Sequence, residues 1–399
     1  MHLPDCSKAL EILQTRISLK ESNNPSLFSG IGGKVLFYAY LDGVHSTIDY
    51  KSLLNDSIQE VLDNLSQKTN DPSFADGYTG IAWLLQHIVN ESLSDEISSE
   101  MVSGFDRPII SSLSFYQKNF NYDPLYGAIG AGIYFIERGG IMIPELTSVI
   151  ELLMQINVVD ENKITWLDRF TNSDTDPQYN IGLSHGVTGI IIFLIKSYHF
   201  IKERAPEQEQ LLEQLFHTIH NSLTWLIDKE LPYANSNFPN TAYNLEESRL
   251  GWSYGDLGIA YCILLAADLF DSDIWNQKGQ ELALSTLNRT VQNSHIYLDH
   301  HQIPDAGICN GSAGIALLYN SLFILTRNNL FAEKSGFWHS ITVSSILEAH
   351  KIYGNEDVPV SKIHWWNDLS LIRGLSGIGL SLVKNDQIGA GWKKPFLLI

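Results

Sequence analysis

A short couplet, Gly-x-x-Gly followed by an apolar stretch, returns along the whole chain and constrains the fold more than any other feature. The fullest copy reads Gly251-Trp252-Ser253-Tyr254-Gly255-Asp256-Leu257-Gly258 and leads into Ile259–Leu269. Other copies open at Gly30, Gly77, Gly127, Gly186, Gly311 and Gly374, each with its second glycine at Gly33, Gly80, Gly130, Gly189, Gly314 and Gly377. Roughly seven copies at a period of about 50–60 residues mark a repeat architecture, in which each unit buries its core only against its neighbours.

Each repeat carries two kinds of helix. Behind the glycines lie runs apolar nearly all round, such as Val35–Leu41, Ile81–Val89, Ala131–Ile136, Ile190–Phe200, Ile315–Leu325 and Ile378–Val383. A helix apolar on every side has to be covered on every side. Between them lie amphipathic stretches, including Ile48–Leu65, Glu209–Ile227 and Ile274–Val291, and residues Asp5–Leu27 read as a lead-in helix before the first repeat. Inner apolar helices ringed by outer amphipathic ones satisfy both patterns. The expected fold is all-α, one domain over residues 1–399. Gly at each helix start permits a sharp turn and close backbone approach, and leaves N–H groups directed to one end of the ring. Two loop-like connections, Leu231–Glu247 and His295–Gly307, are expected to fold over that same end.

Composition narrows the function. A net charge of −19, from 26 basic and 45 acidic residues, disfavours nucleic acid and anionic membranes as partners. Three cysteines, Cys6, Cys262 and Cys309, give no disulfide framework and fit a reducing compartment. Met1–Leu10 does not resemble a signal peptide, and no apolar run approaches the length of a membrane span. A cytoplasmic protein is expected.

Asp123, His185, Arg249, Tyr254 and Cys309 stand beside repeat openings, and a ring would gather them around one cavity. His185 is the leading candidate for acid–base work, its ordinary pKa lying near 6.5. The positive end of its helix would favour the neutral ring. Each residue also has a structural reading. His185 suits a cap or a satisfied core position, Asp123 a turn, Arg249 a surface pair with Glu246 or Glu247, Tyr254 the core, and Cys309 an inert buried thiol.

Taken together, Ser184-His185-Gly186-Val187-Thr188-Gly189, Arg249–Gly258 and Cys309-Asn310-Gly311-Ser312-Ala313-Gly314, set among the glycine pairs, resemble the lanthionine synthetase C family. The resemblance covers nearly the whole chain. It implies an α/α toroid of inner and outer helices. It also implies a cyclase that adds a peptide Cys thiol to dehydroalanine or dehydrobutyrine, forming a thioether ring. His185 then resembles the family's functional His, acting as base on the thiol or acid to the enolate. Asp123 would orient it, while Arg249 and Tyr254 would stabilise the enolate oxygen. Trp252 and Asp256 would contact substrate. The partners implied are a leader-bearing precursor peptide and a lanthipeptide dehydratase. The family holds a thiol-activating zinc through two Cys and one His. Here Ser253 takes the first Cys position and Asn310 the His position, leaving Cys309 alone. The cofactor is therefore none, or a zinc rebuilt with His295, His300, His301 or Cys262. Two other readings remain: a non-catalytic scaffold for modified peptide or dehydratase, and a glycosidase using Asp76 and Asp256 as its two carboxylates.

Overall fold

The computed structural model describes residues 6–41, 48–68, 70–168, 179–231, 235–242, 246–297, 303–383 and 389–399. Among these, seven inner helices follow the glycine couplets: Gly32–Leu41, Tyr78–Asn90, Ala128–Arg138, Val187–Arg204, Asp256–Phe270, Ser312–Thr326 and Leu375–Leu382. Outer helices alternate with them: Cys6–Ser18, Tyr50–Asp63, Asp106–Lys118, Ile143–Ile156, Glu209–Ile227, Asp273–Ser285 and Asn329–Tyr353. The two sets form the α/α toroid that the sequence pattern and the resemblance imply.

Burial follows the patterning. Val187 to Ile195 are buried without interruption on their inner helix, whereas Glu209–Ile227 buries mainly Leu215, Ile219, Leu223 and Leu226 along one stripe. A fully buried Leu, Ile or Phe contributes about 1.5–3 kcal/mol, so the inner helices carry most of the drive to close the ring. The first helix completes the last repeat. Arg16 is buried there, donating from Nε and Nη2 to the Trp366 carbonyl at 3.2 and 2.8 Å, with its guanidinium 4.3 Å from the Trp366 ring centre.

Backbone hydrogen bonds stitch the loops that precede the inner helices into a seam. Phe28 N donates to Ala75 O at 3.0 Å, Ala75 N to Leu125 O at 2.8 Å, and Leu183 N to Ser253 O at 3.0 Å. Ser253 N donates to Cys309 O at 3.1 Å, Cys309 N to Ile372 O at 2.9 Å, and Leu371 N back to Phe28 O at 2.8 Å. This last bond closes the circle. At the junction between the Leu125 and Ser184 loops the bridge is a side-chain pair, Asp123 with His185.

Close approach explains the second glycines. A Cβ at Gly314 would stand 1.8 Å from the Ile308 carbonyl oxygen. The first glycine of the fifth couplet, Gly255, also has φ +110, and a Cβ there would meet the Arg249 carbonyl oxygen at 2.1 Å.

Four features depart from the sequence reading, the first being that the lead-in helix read over Asp5–Leu27 ends at Ser18. The outer stretch expected to run to Val291 ends as a helix at Ser285. A short antiparallel hairpin pairs Val158–Asp160 with Lys163–Thr165, Val159 opposite Ile164. The segment Gly391–Phe396 forms a 3-10 turn that enters the ring. Trp252 Nε1 donates to Phe396 O at 3.0 Å and Tyr261 Oη to Leu397 O at 3.3 Å, while the Phe396 ring lies 5.3 Å from both Phe28 and Trp252. The plug needs a closed ring around it, so no local pattern announces it.

Candidate active site

The seam defines two concentric rows of residues. Two positions before each opening glycine stand Phe28, Ala75, Leu125, Ser184, Ser253, Cys309 and Ile372. One position before stand Ser29, Asp76, Tyr126, His185, Tyr254, Asn310 and Arg373, nearly all polar. Residues of both rows, including Leu125, Tyr126, Ser184, His185, Cys309 and Arg373, line a cavity of about 190 Å³ at the helix N-terminal end of the ring. The repeat thus brings Ser29, Tyr126, His185 and Arg373, far apart in sequence, onto one cavity wall.

His185 and Asp123 form the most defined pair. His185 Nδ1 lies 2.7 Å from Asp123 Oδ2, with the carboxylate side chain 3% exposed and the imidazole 26% exposed. The carboxylate is itself fixed, because its Oδ1 accepts from Leu125 N at 2.8 Å and Tyr126 N at 2.9 Å. Asp123 thus both shapes its turn and hydrogen-bonds the histidine. The Tyr126 ring stacks on the imidazole, centres 6.3 Å apart and planes 11° from parallel.

The pKa shift of His185 runs opposite to the sequence expectation. Burial by itself works to lower its pKa, but the hydrogen bond and charge of Asp123, with Asp168 beyond, override it and hold the pKa above its ordinary value. The helix N-terminus argues for a neutral ring, yet a carboxylate in hydrogen-bond contact outweighs half a unit charge of dipole. Asp123 lies in a different repeat, which is why the local argument failed.

The three positions that correspond to the family's metal ligands do converge. Ser253 Oγ donates to Asn310 Oδ1 at 2.7 Å and also bonds the Cys309 thiol. Burial pushes that thiol up, although Arg373, the Ser253 hydrogen bond and Arg249 all pull it down. One thiol, one hydroxyl and one amide are a poor donor set for zinc, which takes thiolate, imidazole or carboxylate. Here hydroxyl and amide satisfy each other. Among the described residues no three His, Cys, Asp or Glu side chains form a metal-binding group. Of the replacements considered, Cys262 is fully buried within its helix and its thiol is driven upward by burial. His295 is exposed on a turn. His300 and His301 lie outside the described residues.

Tyr254 accepts from Asn180 Nδ2 at 2.9 Å, and burial raises its phenol pKa. Arg249 is close enough to Cys309 for its charge to act on the thiol. The two expected substrate contacts, Trp252 and Asp256, do not line this cavity. Trp252 is buried against the Phe396 plug. Asp256, with its pKa pushed up to about 6 by burial, accepts from Asn237 N at 2.7 Å and Phe238 N at 3.0 Å, anchoring the adjoining loop. Asp76 instead accepts from Tyr126 Oη at 3.2 Å. Sequence reasoning missed Tyr126 and Arg373 as rim residues. Reading the position before every opening glycine as one row would have found both.

Against known proteins, the profile of the family described as Lanthionine synthetase C-like protein matches residues 21–394. Among solved structures, a nisin cyclase is similar, with TM-score 0.72 and 19% identity, covering 98% of this chain and 96% of that one. No curated protein sequence matches. At that identity the solved structure speaks for the toroid alone. The profile spans nearly the whole chain, and the chain belongs to the lanthionine synthetase C-like family.

Proposed function

We propose that this family member is a lanthipeptide cyclase whose acid–base group is His185, held by Asp123. The substrate class is a leader-bearing precursor peptide already carrying dehydroalanine or dehydrobutyrine, so a dehydratase reaction has to precede this one. The observation that carries the reading is the 2.7 Å Asp123–His185 pair on the wall of a cavity that also exposes Cys309 and Arg373.

The reaction is an isomerisation. The S–H bond of the substrate Cys breaks, a bond forms from sulfur to the alkene β-carbon, and the π electrons pass to the enolate. The α-carbon then takes a proton. Nothing else is consumed or released. A free thiol of pKa about 8.5 is only a few per cent thiolate at neutral pH, so a base has to bear on it. Nδ1 engages Asp123, so both proton transfers fall to Nε2. A pKa raised by Asp123 brings the imidazole closer to that of the thiol and keeps the proton at hand for the α-carbon. Arg249, Arg373 and Tyr254 are the groups suited to the developing enolate oxygen, and the cavity supplies proximity and ring choice.

We place no step on a metal, because Ser253, Cys309 and Asn310 do not offer the family's zinc its ligands. Cys309 is read as a protonated thiol of the cavity wall. Cys6, Cys262 and Cys309 form no disulfide, which suits the cytoplasm, and residues 1–399 are read as one domain serving one site.

The test is cyclisation of a dehydrated precursor, followed by capping of unreacted thiols and mass spectrometry. His185→Ala should leave substrate thiols open to capping. Unchanged rate and ring pattern in that variant would refute the assignment. Wild-type protein that binds the dehydrated peptide without closing any ring would point to the scaffold reading instead.

A further inference from the structure

The opposite end of the ring holds a second and larger cavity, of about 730 Å³, which the proposed reaction does not use. Its walls come from the C-terminal halves of the inner helices. Val187–Arg204 spans both ends: His185 precedes its first turn, while Lys196, His199 and Phe200 face the second cavity. At 1.5 Å per residue, the two regions stand about 20 Å apart along the axis. This volume lies within the range of about 300–1,000 Å³ common for small-molecule sites.

The cavity combines apolar wall with ionisable groups, among them Arg138, Glu203, Arg204 and Asp268, and Lys196 is the lysine there that makes no ion pair among the described residues. Ile133, Phe193, Leu265 and Leu397 form apolar wall. Lys394 lines the rim but is committed, its Nζ lying 3.2 Å from Glu137 and 3.4 Å from Glu91. Glu137 is held further by His87 Nδ1 at 2.9 Å. Lys196 differs. It is partly buried, and its one hydrogen bond among the described residues goes to the Leu398 carbonyl at 3.5 Å. Burial, followed by the like charge of Lys394, lowers its pKa to about 8, and no carboxylate opposes either effect.

A partly buried ammonium on an apolar wall is costly unless an anion meets it. Lys394 meets this cost with carboxylates, while the neighbouring Lys393 donates to Asn320 Oδ1 at 3.4 Å and the Ile399 carbonyl at 3.2 Å. We infer that this second cavity is a binding site for an amphiphile with an apolar body and a single anionic head, the head paired with Lys196. The apolar walls take the body, and the ammonium fixes its orientation and selects against neutral analogues. Because the cavity lies at the far end of the toroid, its occupant does not compete with a peptide at His185.

The test uses full-length protein and three probes below their micelle concentrations: dodecanoate, dodecyl phosphate and dodecanol. Calorimetry should give one saturable site for an anionic probe, and dodecanol should bind at least about tenfold more weakly. Preference for dodecanoate over dodecyl phosphate, or the reverse, assigns the head group. Lys196→Met should weaken the anionic probe by at least about tenfold and leave dodecanol unchanged. Leu265→Trp, which fills the cavity from its apolar side, should abolish binding of all three while the thermal melt confirms folding. The inference is overturned if no anionic probe saturates, if Lys196→Met or the neutral head makes no difference, or if binding survives Leu265→Trp. Cyclase activity is no part of the readout, so failure here leaves the His185 assignment standing.

Discussion

Replacing Asp123 by Asn separates the charge of the carboxylate from its shape. Asp123 Oδ1 accepts from Leu125 N and Tyr126 N at 2.8 and 2.9 Å, and an amide oxygen can keep both bonds. The Oδ2 position, 2.7 Å from His185 Nδ1, would then hold an NH2 group. That donor requires Nδ1 to accept, which moves the imidazole proton to Nε2 and removes the base from the side that has to meet the thiol. General acid–base catalysis is worth about 10²–10⁴-fold in rate, so cyclisation should fall within that range while peptide binding persists. Stability should change with a defined sign. Asp123 raises the His185 pKa, so the pair stabilises the fold fully below the unfolded value near 6.5 and less as pH rises through the higher folded value. A hydrogen bond to a charged group contributes about 1.5–3 kcal/mol. Asp123→Asn should therefore lose up to about that amount at low pH and little above the folded pKa. Thiol-capping rates at several pH values, with chemical denaturation at the same values, measure both effects. A variant that cyclises at wild-type rate, with an unmoved pH profile, would refute the reasoning.

Three further outcomes follow from the same structure. Gly314→Ala sets a methyl 1.8 Å from the backbone oxygen of Ile308, which cannot rotate aside, and should cost at least about 1–3 kcal/mol of stability in a denaturant titration. Phe396→Ala empties the plug between Phe28 and Trp252 and should cost about 3–5 kcal/mol. The charge of Arg373 pulls the Cys309 thiol downward, so Arg373→Met should raise it further and slow alkylation of Cys309 at fixed pH.

The ring was legible because its signal repeats. Couplet glycines such as Gly255 and Gly314 stand against the backbone six residues earlier in their own repeat, and runs such as Val187–Ile195 are apolar because their helix is enclosed. His185 stood out because it is a histidine beside a repeat opening, with an ordinary pKa near neutrality. The direction of its pKa shift was not legible, since that depends on Asp123 from another repeat. Trp252 and Asp256 were placed with the substrate on the strength of adjacent motif residues. Side chains in a turn point in different directions, and these two face the plug and a loop. The Phe396 plug and the Lys196 cavity exist only once all inner helices are assembled, so no window of sequence contains either.

The central claim is that His185, with Asp123, closes thioether rings without the family's zinc. Its most direct test is the cyclisation rate of wild-type protein on a dehydrated precursor before and after exhaustive chelation, with metal content measured on the same samples. The account predicts an unchanged rate and zinc far below one per chain. Near-stoichiometric zinc, lost together with activity on chelation and restored with it, would contradict the account.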